Sequence, residues 1–145
     1  RDQRDSRAAK KEEIGRLLKE GESVVIFPEG TVNTKTLTAE FSKGSFEEAA
    51  KWGCNVVPVA LDYRDTGVYW HTNISLIRHF LNVFKRWKLE TRICFGPPIK
   101  GDNGVEIMEK CKAFIDLKLT EMHHDWKAET QKGYSESSEI SISSK

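Results

Sequence analysis

The chain contains 145 residues, of which 38% are hydrophobic and 31% are charged, and its formal net charge is +1. This length suits one domain with a modest core, and the balanced charge gives no general basis for nucleic-acid binding. No apolar run in the sequence reaches the ~20 residues that span a bilayer. Three widely spaced cysteines without a Cys-x-x-Cys pair do not form the pattern of a disulfide framework or a metal site, so we expect no metal.

The first predicted element is a helix over residues 6–20. Its apolar positions Ile14, Leu17 and Leu18 share one face, and Gly21 stands where a glycine commonly ends a helix. The residues before the helix are dense in charge and are interpreted as a solvated arm. The chain begins with Arg inside this polar arm, so we expect it to be part of a longer polypeptide.

The next element is an apolar run, residues 24–27, which is followed directly by Pro28, Glu29, Gly30 and Thr31. A short run without alternation predicts a strand that is buried on both faces, and proline ends such a strand. Ligands of open α/β sheets bind where strands end in this way. The turn is therefore a candidate binding site, although four such residues on their own are more often an ordinary polar turn.

Residues 32–40 are polar and predict a loop over this turn. A second helix is predicted after Lys43, with a capping box that begins at Ser45, and Gly53 ends it. Lys43 therefore stands just before a helix N-terminus. It either favours an anion there or is an ordinary surface lysine.

Residues 55–61 predict the next strand, which Pro58 interrupts. A strand, a helix and a further strand predict a right-handed parallel crossover. We therefore predict an α/β fold, with a mostly parallel sheet covered by helices. Part of that sheet is expected to lie N-terminal to the 145 residues.

An amphipathic helix is predicted from Ser75 to Lys88. Its apolar positions form one stripe, and basic side chains lie mostly opposite, with no acidic residue between them. Such a helix either lies in a membrane interface or covers the core and presents a basic outer face.

The last predicted elements are a half-buried strand over residues 89–95, a helix over 104–124 and a polar tail. The predicted domain covers residues 1–126. Residues 127–145 are rich in Ser, Glu and Lys, and from Ser135 onward they are expected to be disordered.

Three blocks of the chain resemble those of the glycerolipid acyltransferases, which acylate lysophosphatidic acid and other lysophospholipids. These blocks are Phe27-Pro28-Glu29-Gly30-Thr31, Phe41-Ser42-Lys43-Gly44-Ser45-Phe46 and Val57-Pro58-Val59-Ala60-Leu61. They occur in the family's order and at plausible spacing. The resemblance covers residues 1–99 and implies the α/β fold of glycerol-3-phosphate acyltransferases.

The resemblance implies that Glu29, Gly30 and Thr31 hold the glycerol phosphate of the acyl acceptor, with Lys43 nearby. It also places Arg1 as the arginine that contacts phosphate, with Arg4 as the alternative, because a guanidinium binds phosphate in a bidentate way. Many lysophosphatidic acid enzymes have Arg after the Glu-Gly-Thr block, whereas this chain has Val32. That departure leaves the identity of the acceptor open.

The family's catalytic base is a His in a His-x4-Asp block, with Asp five positions after the His, and none of the four histidines here has that spacing. The resemblance places this block before Arg1, so no catalytic residue is assigned within the chain, and residues 1–145 alone are expected to be inactive.

The implied function is transfer of a fatty acyl group from acyl-CoA, as co-substrate, to the free hydroxyl of a lysophospholipid such as 1-acyl-glycerol 3-phosphate. No other cofactor is expected. A non-catalytic phospholipid-binding module is the alternative. The implied location is a membrane surface, with the site facing the cytosol or stroma.

Overall fold

The computed structural model describes the backbone of residues 2–31, 33, 35–68 and 75–142, and the side chains of these residues except at positions 2–7, 66, 76 and 130–142. The elements in chain order are α1 (Asp2–Lys19), α2 (Gly44–Lys51), β1 (Val59–Tyr63), a short 3-10 helix (Thr66–Val68), α3 (Leu76–Phe84), β2 (Thr91–Phe95) and α4 (Gly104–Ile142). The described chain is thus a mixed helix and strand structure.

The strands β1 and β2 form a two-stranded antiparallel sheet, with Val59 opposite Phe95 and Tyr63 opposite Thr91. Before β1, Val56 makes an isolated antiparallel bridge with Ile99. Pro58 separates this bridge from the strand, as the sequence predicts, because proline has no N–H to donate. Residues 55–61 are therefore an interrupted strand whose regular part starts at Val59.

The predicted parallel crossover is not found among the described residues. Residues 24–27 form no strand there, and the sheet beside them is antiparallel. Burial along the run alternates: Ile26 packs against the core, whereas Val25 and Phe27 are 86% and 80% exposed. The prediction assumed partners on both faces of the run, and only the Ile26 side has them here.

The core lies between α2, α4 and the segments that join them. Its buried centre is formed by Phe46, Ile107 and Cys111. Residues packed around this centre include Ile26, Phe41, Ala50, Val56, Ile99 and Met108. Gly104 allows α4 to approach α2, because a Cβ there would lie 2.6 Å from the Glu47 amide nitrogen. The start of α4 therefore packs directly on the first turn of α2.

The α4 helix also contacts the sheet through polar groups. Asp62 of β1 is fully buried and accepts a hydrogen bond of 3.0 Å from Trp126 Nε1. Arg92 of β2 lies over the Trp126 ring, 3.7 Å from its centroid. The opposite face of the sheet carries exposed apolar side chains: Val59, Leu61, Ile93 and Phe95.

Both helix ends predicted from glycine are confirmed. Gly21 has φ of 83° and donates to Leu18 O, while Glu22 donates to Leu17 O. This is the Schellman arrangement, which needs a left-handed residue after the helix. Gly53 ends α2 in the same way, with φ of 61°.

The predicted start of α2 is wrong by two residues, because the capping box makes Ser45 the N-cap, whereas the helix begins at Gly44 with Lys43 as its N-cap and no capping hydrogen bond from a side chain. Glu48, the expected partner of Ser45, is instead buried, and its carboxylate lies 3.6 Å from Lys51 and 3.9 Å from Lys11. Burial beside two cations outweighs a local cap here.

The two remaining helices differ in length from the predictions. The α3 helix ends at Phe84, so Lys88 and the residues just before it lie beyond its C-terminus. The α4 helix continues to Ile142 and includes most of the predicted polar tail. The domain boundary at residue 126 stays a prediction. Within the described residues, no helix has the length and apolar character needed to cross a membrane.

Candidate functional site

The candidate site is centred on a tight turn at Pro28 and Glu29. Gly30 N–H donates to Phe27 O at 3.1 Å and closes the turn. Gly30 has φ of 65°, and no atom lies within 4 Å of a Cβ built on it. Glycine is thus required by the backbone conformation rather than by a close neighbour. The resemblance implies that Gly30 holds the acceptor's glycerol phosphate, whereas here its amide is bonded to Phe27 O within the turn.

Glu29 is half-buried and fastens the loop that follows the turn. Its Oε2 accepts a hydrogen bond of 2.8 Å from the Ala39 amide. The Ser42 amide donates to Pro28 O, also at 2.8 Å. The Ser42 bond joins the first and second resembling blocks directly, and the Ala39 bond holds the residue two positions before the second block; this is the juxtaposition that a shared binding site requires.

The loop between the blocks is also tied to itself and to α4. Asn33 Oδ1 accepts from the Lys35 amide at 2.9 Å, and Asn33 Nδ2 donates to Leu37 O at 2.7 Å. Thr38 then reaches Asp116, whose Oδ1 accepts from both the Thr38 amide (2.9 Å) and the Thr38 hydroxyl (2.6 Å). These hydrogen bonds hold the described part of the loop in place.

Lys112 completes this attachment. Its ammonium group donates to Thr38 Oγ1 at 2.6 Å, to Thr38 O at 3.1 Å and to Asp116 Oδ2 at 2.8 Å. Burial opposes ionisation of Asp116, but the hydrogen bonds from Lys112 and Thr38 outweigh it and hold the pKa of this carboxyl below its usual range. Asp116 is consequently charged at neutral pH.

Lys43 lies at the edge of the site, with 67% of its side chain exposed, and its ammonium group is 3.1 Å from Glu47. Glu47 also receives Lys11 of α1 at 2.6 Å. The hydrogen bond from Lys11, with that from Lys43, lowers the pKa of Glu47. Glu47 therefore has two cationic partners.

The remaining predicted site residues are only partly described. Thr31 is exposed directly after the turn. Arg1 and Val32 lie outside the described residues, as does the side chain of Arg4. The structure thus brings Glu29, Gly30 and Thr31 together at one turn, with Lys43 next to Ser42, which contacts that turn.

The described histidines do not form a base of the expected kind. His123 Nδ1 lies 2.6 Å from Leu119 O, and its Nε2 lies 3.7 Å from Asp62. Both ring nitrogens therefore face protein groups. His124 is exposed near the same end of the chain, His79 is half-buried on α3, and His71 lies outside the described residues.

Sequence reasoning missed the residues that hold the loop. Thr38, Lys112 and Asp116 are not part of any resembling block, and Thr38 and Asp116 are 78 positions apart. The sequence shows that Lys112 and Asp116 have the i,i+4 spacing of a helical ion pair. The contact of this pair with Thr38 could not be read from any local pattern.

Comparison with known proteins shows similarity to acyltransferases. A sequence profile of the family described as Acyltransferase matches residues 1–62. Glycerol-3-phosphate acyltransferase 3 of Mus musculus is 29% identical over 131 residues, which cover 77% of this chain and 29% of that protein. The chain is thus similar in sequence to glycerol-3-phosphate acyltransferases. The same named protein of Homo sapiens is 28% identical, with coverage of 77% and 29%. Glycerol-3-phosphate acyltransferase 4 of Mus musculus is also 28% identical, with coverage of 77% and 28%.

The chain spans less than a third of the length of these acyltransferase relatives, 29% in the mouse protein. No solved structure matches it significantly. The profile match at residues 1–62 includes the turn at Glu29, Gly30 and Thr31 and the block around Lys43. The family relationship therefore rests on the part of the chain that contains the candidate site.

Proposed function

We propose that this chain forms the acceptor-binding part of an enzyme that transfers a fatty acyl group from acyl-CoA to a lysophospholipid such as 1-acyl-glycerol 3-phosphate. The observation that carries the proposal is the contact between the two resembling blocks through Pro28 and Ser42, next to which Glu29 holds Ala39. Thr31 and Lys43 border this contact, and a hydroxyl and an ammonium group suit a phosphate.

The reaction itself is simple to balance. The acceptor hydroxyl oxygen attacks the thioester carbonyl carbon, the carbon–sulfur bond breaks, and the hydroxyl proton ends on the released thiol. The step needs a base near the hydroxyl and donors for the oxyanion. The family resemblance assigns the base to a His-x4-Asp block that is not part of residues 1–145, so these residues act in binding. No metal or prosthetic group enters the proposal.

Glycerol 3-phosphate is a second candidate acceptor, because the relatives carry the name glycerol-3-phosphate acyltransferase. It shares the glycerol phosphate group with 1-acyl-glycerol 3-phosphate and lacks the acyl chain. The same turn could hold either headgroup. The two acceptors therefore differ in whether they carry an acyl chain, and not in the groups that face the turn.

A non-catalytic phospholipid-binding module is the alternative function. It is favoured by the position of His123, which has both ring nitrogens directed at protein groups. Binding of a lysophospholipid without turnover would support it.

The test uses the whole gene product in membranes of the cells that express it, with radiolabelled acyl-CoA and three acceptors. These are glycerol 3-phosphate, 1-oleoyl-glycerol 3-phosphate and lysophosphatidylcholine. We expect acylation of 1-oleoyl-glycerol 3-phosphate, weakened by Thr31→Ala and unchanged by Glu22→Gln, an exposed carboxylate outside the turn. Acylation of glycerol 3-phosphate alone would replace the acceptor, and no acylation of any acceptor would refute the enzymatic proposal.

We further propose that the site works at a membrane surface, in contact with the cytosol or stroma, and that α3 contacts the lipid. Ile77, Leu81 and Phe84 of α3 are all more than half exposed, and Trp87 just after the helix is fully exposed. Residues 75–89 contain basic side chains and no acidic one. An apolar face next to basic groups is the arrangement that binds anionic interfaces.

The membrane proposal predicts binding to vesicles of phosphatidylcholine and phosphatidylserine, measured by co-sedimentation. Phe84→Ser combined with Trp87→Ser should abolish most of the binding. Leu117→Ser, which removes an exposed apolar side chain of α4, is the matched control and should have no effect. Equal binding by both variants and the unchanged protein would contradict a role for α3.

A further inference from the structure

The attachment of the loop to α4 differs from other surface contacts of that helix. Asp116 and Lys112 are partly buried, with side-chain exposures of 24% and 32%. By contrast, the Lys110–Glu106 pair earlier in the helix has the same i,i+4 spacing, and both of its side chains are 58% exposed. The Lys112–Asp116 pair also bonds to a third residue, Thr38, through its amide, its hydroxyl and its carbonyl.

We infer that Asp116 is a positioning residue for acceptor binding: by holding Thr38 against α4, it sets the path of the loop that leaves the turn at Glu29, Gly30 and Thr31. This inference rests on the proposed function, because it concerns the same acceptor site. Asp116 does not touch the acceptor in this scheme. It acts through Thr38 and the residues on either side of it.

Asp116 is the centre of the attachment of the loop to α4. One of its oxygens accepts two hydrogen bonds from Thr38, and the other accepts the Lys112 ammonium group. Lys112 in turn neutralises the carboxylate and bonds to Thr38 O. A partly buried carboxylate with three donors is satisfied, whereas removing it leaves the Thr38 amide without its acceptor and leaves Lys112 with Thr38 as its partner.

Thr38 is next to Ala39, the residue that Glu29 holds. Ala39 donates its amide to Glu29, so the α4 attachment and the Glu29 attachment act on neighbouring residues of the loop. Release of Thr38 would also weaken the Ala39–Glu29 bond, because the amide would no longer be held in front of the carboxylate. The Glu29 side chain and the exposed Thr31 would then lose their fixed relation.

The attachment of Thr38 to Asp116 persists at neutral pH. The hydrogen bonds to Asp116 hold its pKa below the usual range despite its burial. The carboxylate is therefore ionised whenever the ordinary carboxyl groups of the chain are.

The test measures acceptor and donor kinetics separately in the whole gene product, in native membranes, with 1-oleoyl-glycerol 3-phosphate and oleoyl-CoA. Asp116→Asn keeps the size of the side chain but weakens every bond it makes. We expect KM for the acceptor to rise on the order of tenfold, as for loss of a hydrogen bond to a charged group, while KM for oleoyl-CoA changes little. Thr38→Val should also raise the acceptor KM, whereas Thr38→Ser should keep the original acceptor KM because it keeps the hydroxyl.

Glu106→Gln is the matched control, since it breaks the exposed Lys110–Glu106 pair on the same helix and should leave all parameters unchanged. Amide hydrogen exchange over residues 35–42 provides a second readout, with faster exchange expected in Asp116→Asn and not in Glu106→Gln. A role in folding alone would instead lower the melting temperature, with equal effects on both KM values.

Three outcomes would overturn the inference. They are an unchanged acceptor KM in Asp116→Asn, an equal rise in the KM of donor and acceptor, or a raised acceptor KM in Thr38→Ser. If the unchanged protein shows no turnover but binds 1-oleoyl-glycerol 3-phosphate, the enzymatic proposal fails, and the dissociation constant replaces KM in the same comparison. If it neither turns over nor binds glycerol phosphate compounds, both the function and the inference are refuted.

Discussion

The hydrogen bond between Glu29 and Ala39 leads to a prediction that needs no substrate. Glu29→Ala removes the carboxylate that accepts from the Ala39 amide at 2.8 Å. The loop stays attached to α4 through Thr38 and to Pro28 through Ser42. The expected effect is therefore local opening around Ala39, not unfolding of the chain.

The size of the effect follows from the kind of bond. A hydrogen bond to a charged group contributes ~1.5–3 kcal/mol net, and the half-buried position of Glu29 favours the lower end. A loss of about 1.5 kcal/mol corresponds to roughly tenfold more frequent opening. Glu29→Gln retains a carbonyl oxygen that accepts from the amide, so it should lose the charge-assisted part alone, about threefold.

Hydrogen exchange of the Ala39 amide, followed by NMR, measures this opening directly. Glu40→Ala provides the control, because Glu40 is an exposed carboxylate beside the same amide. Ala39 should exchange roughly tenfold faster in Glu29→Ala, about threefold faster in Glu29→Gln and at the original rate in Glu40→Ala. Equal exchange rates in Glu29→Ala and the unchanged protein would show that the carboxylate does not hold the loop, and the reasoning above would be refuted.

Three further predictions concern other parts of the chain. The hydrogen bonds from Lys88 and Arg64 lower the pKa of Glu90 to about 2, from an ordinary value of 4.5. Its stabilising contribution should therefore be complete above about pH 4.5 and lost as the pH falls toward 2, and NMR titration should give a higher pKa in Lys88→Gln. Burial raises the pKa of the Cys111 thiol, so iodoacetamide should modify it more slowly than Cys54, as mass spectrometry would show. Gly104→Ala should lower the free energy of unfolding by about 1–3 kcal/mol in denaturant titrations, because the added Cβ meets the backbone of α2.

Local features of the fold were predictable from the sequence. Gly21 and Gly53 end their helices as expected, since a left-handed residue after a helix is a local requirement. Pro58 interrupts its strand for an equally local reason. These features depend on one residue and its immediate neighbours in the chain.

Features that depend on distant partners were not predictable. The run at residues 24–27 has the composition of a doubly buried strand, yet only Ile26 meets the core. The alternation in β2 correctly indicates a half-covered strand but not which side is covered: α4 packs on the side of Arg92, while Ile93 and Phe95 are exposed. A pattern along one strand records the period of its two faces, not the identity of the element that covers each.

The candidate site shows the same division. The resemblance selected the turn at Glu29 and Gly30, and the structure shows that turn in contact with the second block. It assigned no role to Thr38 or Asp116, because the hydrogen bonds between them join residues of unrelated sequence context. Residues that hold a site from a distance therefore have to be found from contacts.

The charges around the turn also distinguish the two lysines that could meet a phosphate. Lys112 has three acceptors in Thr38 and Asp116 and could reach a ligand only by abandoning the loop attachment. Lys43 has an exposed i,i+4 contact with Glu47, and such pairs contribute only ~0.3–0.5 kcal/mol. Glu47 would keep Lys11 at 2.6 Å if Lys43 moved away. For the proposed acceptor, Lys43 is thus the cation that can turn toward a phosphate at small cost, and Lys112 is the cation that keeps the loop in place while it does so.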